Sequence, residues 1–210
     1  MTFPLPSEET QQLLALAREG SGEAVNDLLK RHRPYLRYLV GLRIDSRIAH
    51  RLDPSDVVQE VLLEVARELP RYLQTQPLPF HLWLRQTACD RLAMASRRHL
   101  GAQSRDAGRD VLLSDQSSIV LARGLAASSG SPPINALVKQ ELIDRVRQAI
   151  ASLDPGDAEM ILLRNLESLT NLEAAQVLAI TPAAASKRYA RALIRLQKTL
   201  RDVQGEEDTP

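Results

Sequence analysis

Aromatic residues are scarce in this chain: two phenylalanines, four tyrosines and one tryptophan make up 3% of 210 residues. With 44% hydrophobic residues overall, any core must be built from aliphatic side chains. Cys89 is the only cysteine, which excludes an intramolecular disulfide and fits a reducing cytosol. No apolar run approaches the roughly 20 residues that span a bilayer. The opening MTFPLPSEET lacks the basic start and apolar core of a signal peptide, so a soluble, cytoplasmic protein without membrane insertion is expected. His32, His50, His81 and His99 have no metal-ligand spacing, and neither a glycine-rich phosphate loop nor a nucleophile motif occurs. No metal, cofactor or catalytic activity is therefore expected. A net charge of +1 decides nothing about nucleic acid; the distribution of charge does.

What is present reads as helix. Ser7 opens a first helix with Leu13, Leu14 and Ala17 on one face, ended by Gly20. Ser21 caps a second, whose buried side is marked by Val25, Leu28, Leu29, Leu36 and Leu39. Pro34 interrupts that stripe, so a kink or break is expected near His32-Arg33, with a connection over residues 41–52. Asp53-Pro54-Ser55-Asp56 starts a third helix with Val57, Val58, Val61, Leu62, Val65 and Leu69 as its apolar stripe. Its other face carries Asp56, Glu60, Glu64 and Glu68, acids four residues apart, which repel by about 0.2–0.5 kcal/mol per pair. A solvated face and a docking surface for a basic partner both fit that ladder.

Residues 70–79 read as a loop. A fourth helix follows, with Phe80, Trp83, Leu84, Ala88, Leu92 and Ala95 as candidate core positions. From Arg85 to Arg109 run six arginines against two aspartates, a basic tract. The serine-, glycine- and proline-rich stretch over residues 110–136 then reads as a flexible linker between two domains, 1–109 and 137–203, with an acidic tail over 204–210.

The second domain closes on TNLEAAQVLAITPAAASKRYARALIRLQKTLR, residues 170–201. Thr170 and Glu173 have capping-box spacing, and Thr181-Pro182 starts a second helix. Ala185, Tyr189, Ala192, Leu196 and Leu200 form its buried stripe, while Lys187, Arg188, Arg191, Arg195, Lys198 and Arg201 lie elsewhere. A short helix, a turn and a basic helix make the pattern of a helix-turn-helix DNA reader. The expected fold is all-α: two small helical domains on a flexible linker, the C-terminal one a helix-turn-helix.

In this order, the elements resemble a bacterial sigma factor of the extracytoplasmic-function class. Asp56-Val57-Val58-Gln59-Glu60 is similar to the family's segment that engages the clamp helices of RNA polymerase. Phe80-x-x-Trp83-Leu84, followed by Arg91 and Ser96-Arg97-Arg98, resembles the part that melts and reads the downstream promoter element. Residues 153–200 resemble the region that reads the upstream element.

The resemblance implies core RNA polymerase and promoter DNA as partners, and an anti-sigma protein is common among relatives. It implies docking through Asp56, Gln59, Glu60 and Glu64. Phe80, Trp83, Arg91, Arg97 and Arg98 would serve the downstream element, with Trp83 itself expected in the core. The DNA-binding helix would use Thr181, Ala183, Ala184, Ser186, Lys187, Arg188 and Arg191, the last four of which carry the polar contacts. The loop 74–80 would receive an unstacked base. Two departures stand out: Ala179 occupies a turn position where relatives often have glycine, and three alanines open the recognition helix. The rival reading is a stand-alone helix-turn-helix regulator with an N-terminal interaction domain.

Overall fold

A computed structural model describes residues 7–44, 53–100, 121 and 145–205, the side chains of 99, 100 and 200–205 excepted. Among these residues every regular element is helical. The chain divides into two compact units, Met1–Gln103 and Ser104–Pro210. The expected linker, residues 110–136, lies outside the described residues save for Leu121, which is helical and buried.

Among the described residues the N-terminal unit has four helices. In α1 (Glu8–Arg18) the Ser7 hydroxyl accepts from the Thr10 amide at 3.2 Å. In α2 (Gly22–Arg43) Ser21 does the same for Ala24. Gly20, with φ of +95°, makes the reversal between them. The expected break at Pro34 does not occur, and residues 41–43 belong to α2 rather than to a connection. A proline inside a helix costs about 3 kcal/mol through a lost donor and a ring clash. Leu28, Leu36 and Leu39 flank it fully buried, each contributing about 1.5–3 kcal/mol of apolar burial. Packing on both sides of the proline outweighs its local cost.

The same contest decides α3 (Pro54–Thr75), which Asp53 caps by accepting from Ser55 at 2.7 Å. The sequence placed a loop over 70–79, yet the helix runs through Pro70 to Thr75 because Leu69 and Tyr72 are buried on either side. The loop is confined to residues 76–79, entered by Gln76 at φ of +38° and held by a 3.0 Å bond from the Tyr72 hydroxyl to the Leu78 carbonyl.

α4 (Phe80–Leu100) buries the expected Phe80, Leu84, Ala88, Leu92 and Ala95, but also His81, Leu82 and Arg85. It packs against both α2 and α3, so one apolar stripe does not describe it. Here the scarce aromatics gather. Phe80 meets His32 and Tyr72 edge-on at 5.2 and 5.5 Å, and Trp83 stacks on Tyr72 at 4.5 Å.

The C-terminal unit contains helical residues 145–151 (α5), with Val146, Ala149 and Ile150 buried. It continues through α6 (Pro155–Ile161), a π-helical turn (Leu162–Leu166), α7 (Asn171–Val177) and α8 (Pro182–Gly205). The π turn was not expected; it places Leu162, Leu163 and Leu166 together in the core.

His32 bonds Thr10 of α1 at 3.3 Å, and burial, then the charge of Arg31, then that of His81, push its pKa down to about 4. The unfolded imidazole titrates near 6.5, so between that value and 4 the unfolded chain binds a proton that the fold refuses. Stability is then fully present above about pH 6.5 and falls toward pH 4, by on the order of 3 kcal/mol. Thermal denaturation between pH 7 and pH 4 is expected to show this loss, and His32→Gln to flatten it; an unchanged acid slope in the variant would assign the effect elsewhere.

Candidate nucleic-acid interface and docking face

The helix-turn-helix is built by local capping. The Glu173 amide donates to the Thr170 hydroxyl at 3.2 Å, and the Thr170 amide donates to the Glu173 carboxylate at 2.7 Å. The turn passes through Ala179 at φ of +51°, the left-handed conformation in which an L side chain is strained. Thr181 then caps α8, accepting from the Ala184 amide at 3.2 Å, and Pro182 takes the first helical position. Asn171 of α7 donates its side-chain amide to the Pro182 carbonyl at 2.9 Å, joining the starts of the two helices.

Ala185, Ala192 and Leu196 are buried as the stripe required. Tyr189 is half-buried, with its hydroxyl on Asn165 at 2.9 Å and the Arg164 guanidinium 5.3 Å from its ring centre. Thr181, Ala183, Ala184, Ser186 and Lys187 are exposed together at the start of α8. Leu200 and Arg201 lie outside the described side chains.

Arg188 and Arg191 are placed differently from these. Both face Asp157, a carboxylate of α6 that is 1% exposed. Arg191 holds it in a two-pronged pair, Nε at 3.1 Å and Nη2 at 2.8 Å. Arg195 donates to it at 3.0 Å and to Asp154 at 2.6 Å, and Arg188 Nε lies 3.9 Å away. The hydrogen bond from Arg191 holds the Asp157 pKa below the usual carboxylate value, against the burial that would raise it. Gly156 belongs to this arrangement, since a side-chain carbon there would meet Arg188 Nη1 at 2.9 Å. Sequence reading missed Asp157 because it stands as an ordinary first-turn acid. The available signal was the spacing of Arg188, Arg191 and Arg195, three and four residues apart on one strip of α8.

In the N-terminal unit the acidic ladder divides. Asp56, Gln59 and Glu60 are exposed, next to Leu63, which is 72% exposed. Glu60 lies 3.7 Å from Arg98. Glu64 instead turns toward α4, pairing with Arg91 and, at 2.6 Å, with Arg67, which also reaches Glu68 at 3.3 Å. Of the residues assigned to the downstream element, Arg97 and Arg98 are exposed and Phe80 is buried. Trp83, expected in the core, is only partly buried and stacks on Tyr72 at the wall of an open α3–α4 groove of about 680 Å³. Arg71, Thr87, Arg91 and Met94 line the same groove. Arg105 and Arg109 lie outside the described residues, as do His50 and the side chain of His99. Among the described residues no cluster of histidine, cysteine or carboxylates could hold a metal ion, and no helix is long and apolar enough to cross a membrane.

Residues 143–196, which contain the capped helix pair and the Asp157 cluster, match the family model of Sigma-70, region 4. The C-terminal unit thus carries a helix-turn-helix of the Sigma-70, region 4 type. Over 196 residues the chain is 26% identical to the ECF RNA polymerase sigma factor SigD of Mycobacterium tuberculosis, covering 93% of this chain and 86% of that protein. The fold is shared with CnrH, solved in complex with the cytosolic domain of CnrY, at a TM-score of 0.53 and 21% identity, covering 96% of this chain and all of that one. The sigma factor RpoE of Bartonella quintana, solved with the anti-sigma factor NepR, is 17% identical with a TM-score of 0.47, covering 84% of this chain and 96% of that one. Over most of its length the chain is thus similar to sigma factors of the extracytoplasmic-function class.

A left-handed alanine costs about 1–2 kcal/mol relative to glycine, partly offset by glycine's greater freedom in the unfolded chain. Ala179→Gly is therefore expected to stabilise the C-terminal unit by about 0.5–1 kcal/mol in denaturant unfolding, whereas a loss of stability would show that the turn carries no such strain.

Proposed function

We propose that this chain is an initiation factor that docks on core RNA polymerase in the cytoplasm and gives it promoter specificity, with catalysis left to the polymerase. The observation that carries this reading is the pairing, in one chain, of a capped basic helix-turn-helix with a second unit that has an outward acidic turn and a groove lined by aromatics, arginines and acids. Similarity to SigD runs across both units, which disfavours a stand-alone regulator with an unrelated N-terminal module.

Docking falls to Asp56, Gln59 and Glu60, with Leu63 as an apolar centre amid polar surroundings. Glu64, assigned to the same face from sequence, contributes less directly because two arginines hold it. The α3–α4 groove suits an unstacked base of the downstream element, with the Trp83–Tyr72 stack as its apolar wall and Arg71 and Arg91 for phosphate. Arg97 and Arg98 extend that basic edge. In the C-terminal unit, α8 enters the major groove of the upstream element. Ala183 and Ala184 permit close approach and contact thymine methyls, while Ser186 and Lys187 supply polar contacts. An anti-sigma protein is the third partner that the likeness to this class suggests.

Core polymerase supplied with the purified chain should start transcription at promoters that core alone ignores, read by mapping transcript starts from a genomic template. Failure at every promoter sinks the assignment. Glu60→Lys reverses a charge on the exposed docking turn and should weaken core binding by about tenfold. An unchanged affinity would remove that turn from the interface.

A further inference from the structure

Asp157 is buried, yet it is ringed by guanidiniums that are not: Arg188, Arg191 and Arg195 have side chains 32%, 53% and 47% exposed. We propose that Asp157 is a positioning residue for DNA binding, holding these three arginines as a fixed row that grips the phosphate backbone beside the recognition helix. This rests on the reading of α8 as the promoter-reading helix.

Three observations carry it. The row has surplus charge, since among the described residues three guanidiniums meet only Asp157 and the exposed Asp154. It also has surplus donors. Each guanidinium carries five N–H bonds, whereas the hydrogen bonds from the row to the two carboxylates number four. Finally, Arg188 directly follows Lys187 at the exposed start of α8, so the row flanks the surface assigned to base contacts. A free arginine must give up rotamer freedom to hold a phosphate. Here the buried carboxylate has already imposed much of that order. Phosphate contacts carry no sequence information but set the register of the helix.

Simple charge arithmetic makes the opposite forecast, because removing an acid near DNA should tighten binding. Asp157→Asn and Arg191→Lys separate the two accounts. The first keeps an oxygen acceptor but loses the charge; the second keeps the charge but cannot form the two-pronged pair. Phosphate contact is indifferent to sequence, so the probe is a labelled duplex of arbitrary sequence, bound to the full chain across a salt series. Circular dichroism and thermal melting identify the folded variants.

Both variants are expected to bind about tenfold more weakly at low salt, with the slope of log K against log salt shallower by about one. If Asp157→Asn does not fold, Arg191→Lys decides alone. Folded variants that bind as tightly as the parent, or more tightly, with the same slope overturn the proposal and leave Asp157 a stability residue only. A parent chain that binds duplex DNA with no salt dependence overturns the DNA-reading assignment itself and the proposal with it. A parent that binds normally confines any failure to Asp157.

Discussion

The recognition helix is anchored by one buried charge. Among its described side chains, the fully buried apolar ones are Ala185, Ala192 and Leu196, two of them alanines. Alanines let helices approach but fix their rotation poorly, and directional contacts come from Asp157 on α6, joined by the Asn171–Pro182 and Tyr189–Asn165 hydrogen bonds. A carboxylate taken out of water costs several kcal/mol unless it is paired and hydrogen-bonded, and removing one partner of such a pair costs about 3–5 kcal/mol. Arg191 and Arg195 both satisfy it, so the geometry survives the motion of either side chain. The folded pKa lies below the unfolded one, so this contribution is complete at neutral pH. It disappears only as acid protonates the carboxylate, below the ordinary range for aspartate.

Local chemistry was legible in the sequence and long-range competition was not. Ser7, Ser21, Asp53, Thr170 and Thr181 all cap helices as their spacing requires, because a cap depends on residues two or three apart. The strained turn at Ala179 was likewise visible as an alanine where glycine fits better. Pro34 and Pro70 misled because their backbone cost is local while the burial that outweighs it comes from other helices. α4 misled for a related reason: the expected stripe left out His81, Leu82 and Arg85, yet the helix packs against two others and buries them. The spacing of Arg188, Arg191 and Arg195 marks a strip of α8, but their partner Asp157 lies more than thirty residues away, beyond the reach of a spacing rule.

The acidic ladder shows how a pattern can be real and still be misassigned in part. Its four acids do share one strip of α3, and their mutual repulsion does need an outlet. Glu64 and Glu68 find it within the unit through Arg67 and Arg91, leaving the N-terminal end of the strip as the more open part. Partly buried pairs of this kind are less screened by salt than exposed ones. The exposed acidic strip is accordingly shorter than the sequence suggested, and Leu63 lies exposed beside it.

The Glu64–Arg91 and Glu60–Arg98 pairs cross between an element assigned to polymerase and one assigned to DNA. For genetics, this means that a defect at either acid does not report on polymerase alone, because it also frees an arginine across the helix pair. Loss of Arg91 or Arg98 exposes an acid in the same way. Phenotypes at these four positions will mix, and compensating charge swaps will look like suppressors of a binding defect when they restore an internal contact. Only double-mutant cycles across α3 and α4, scored separately for the two partners, assign each residue its own share.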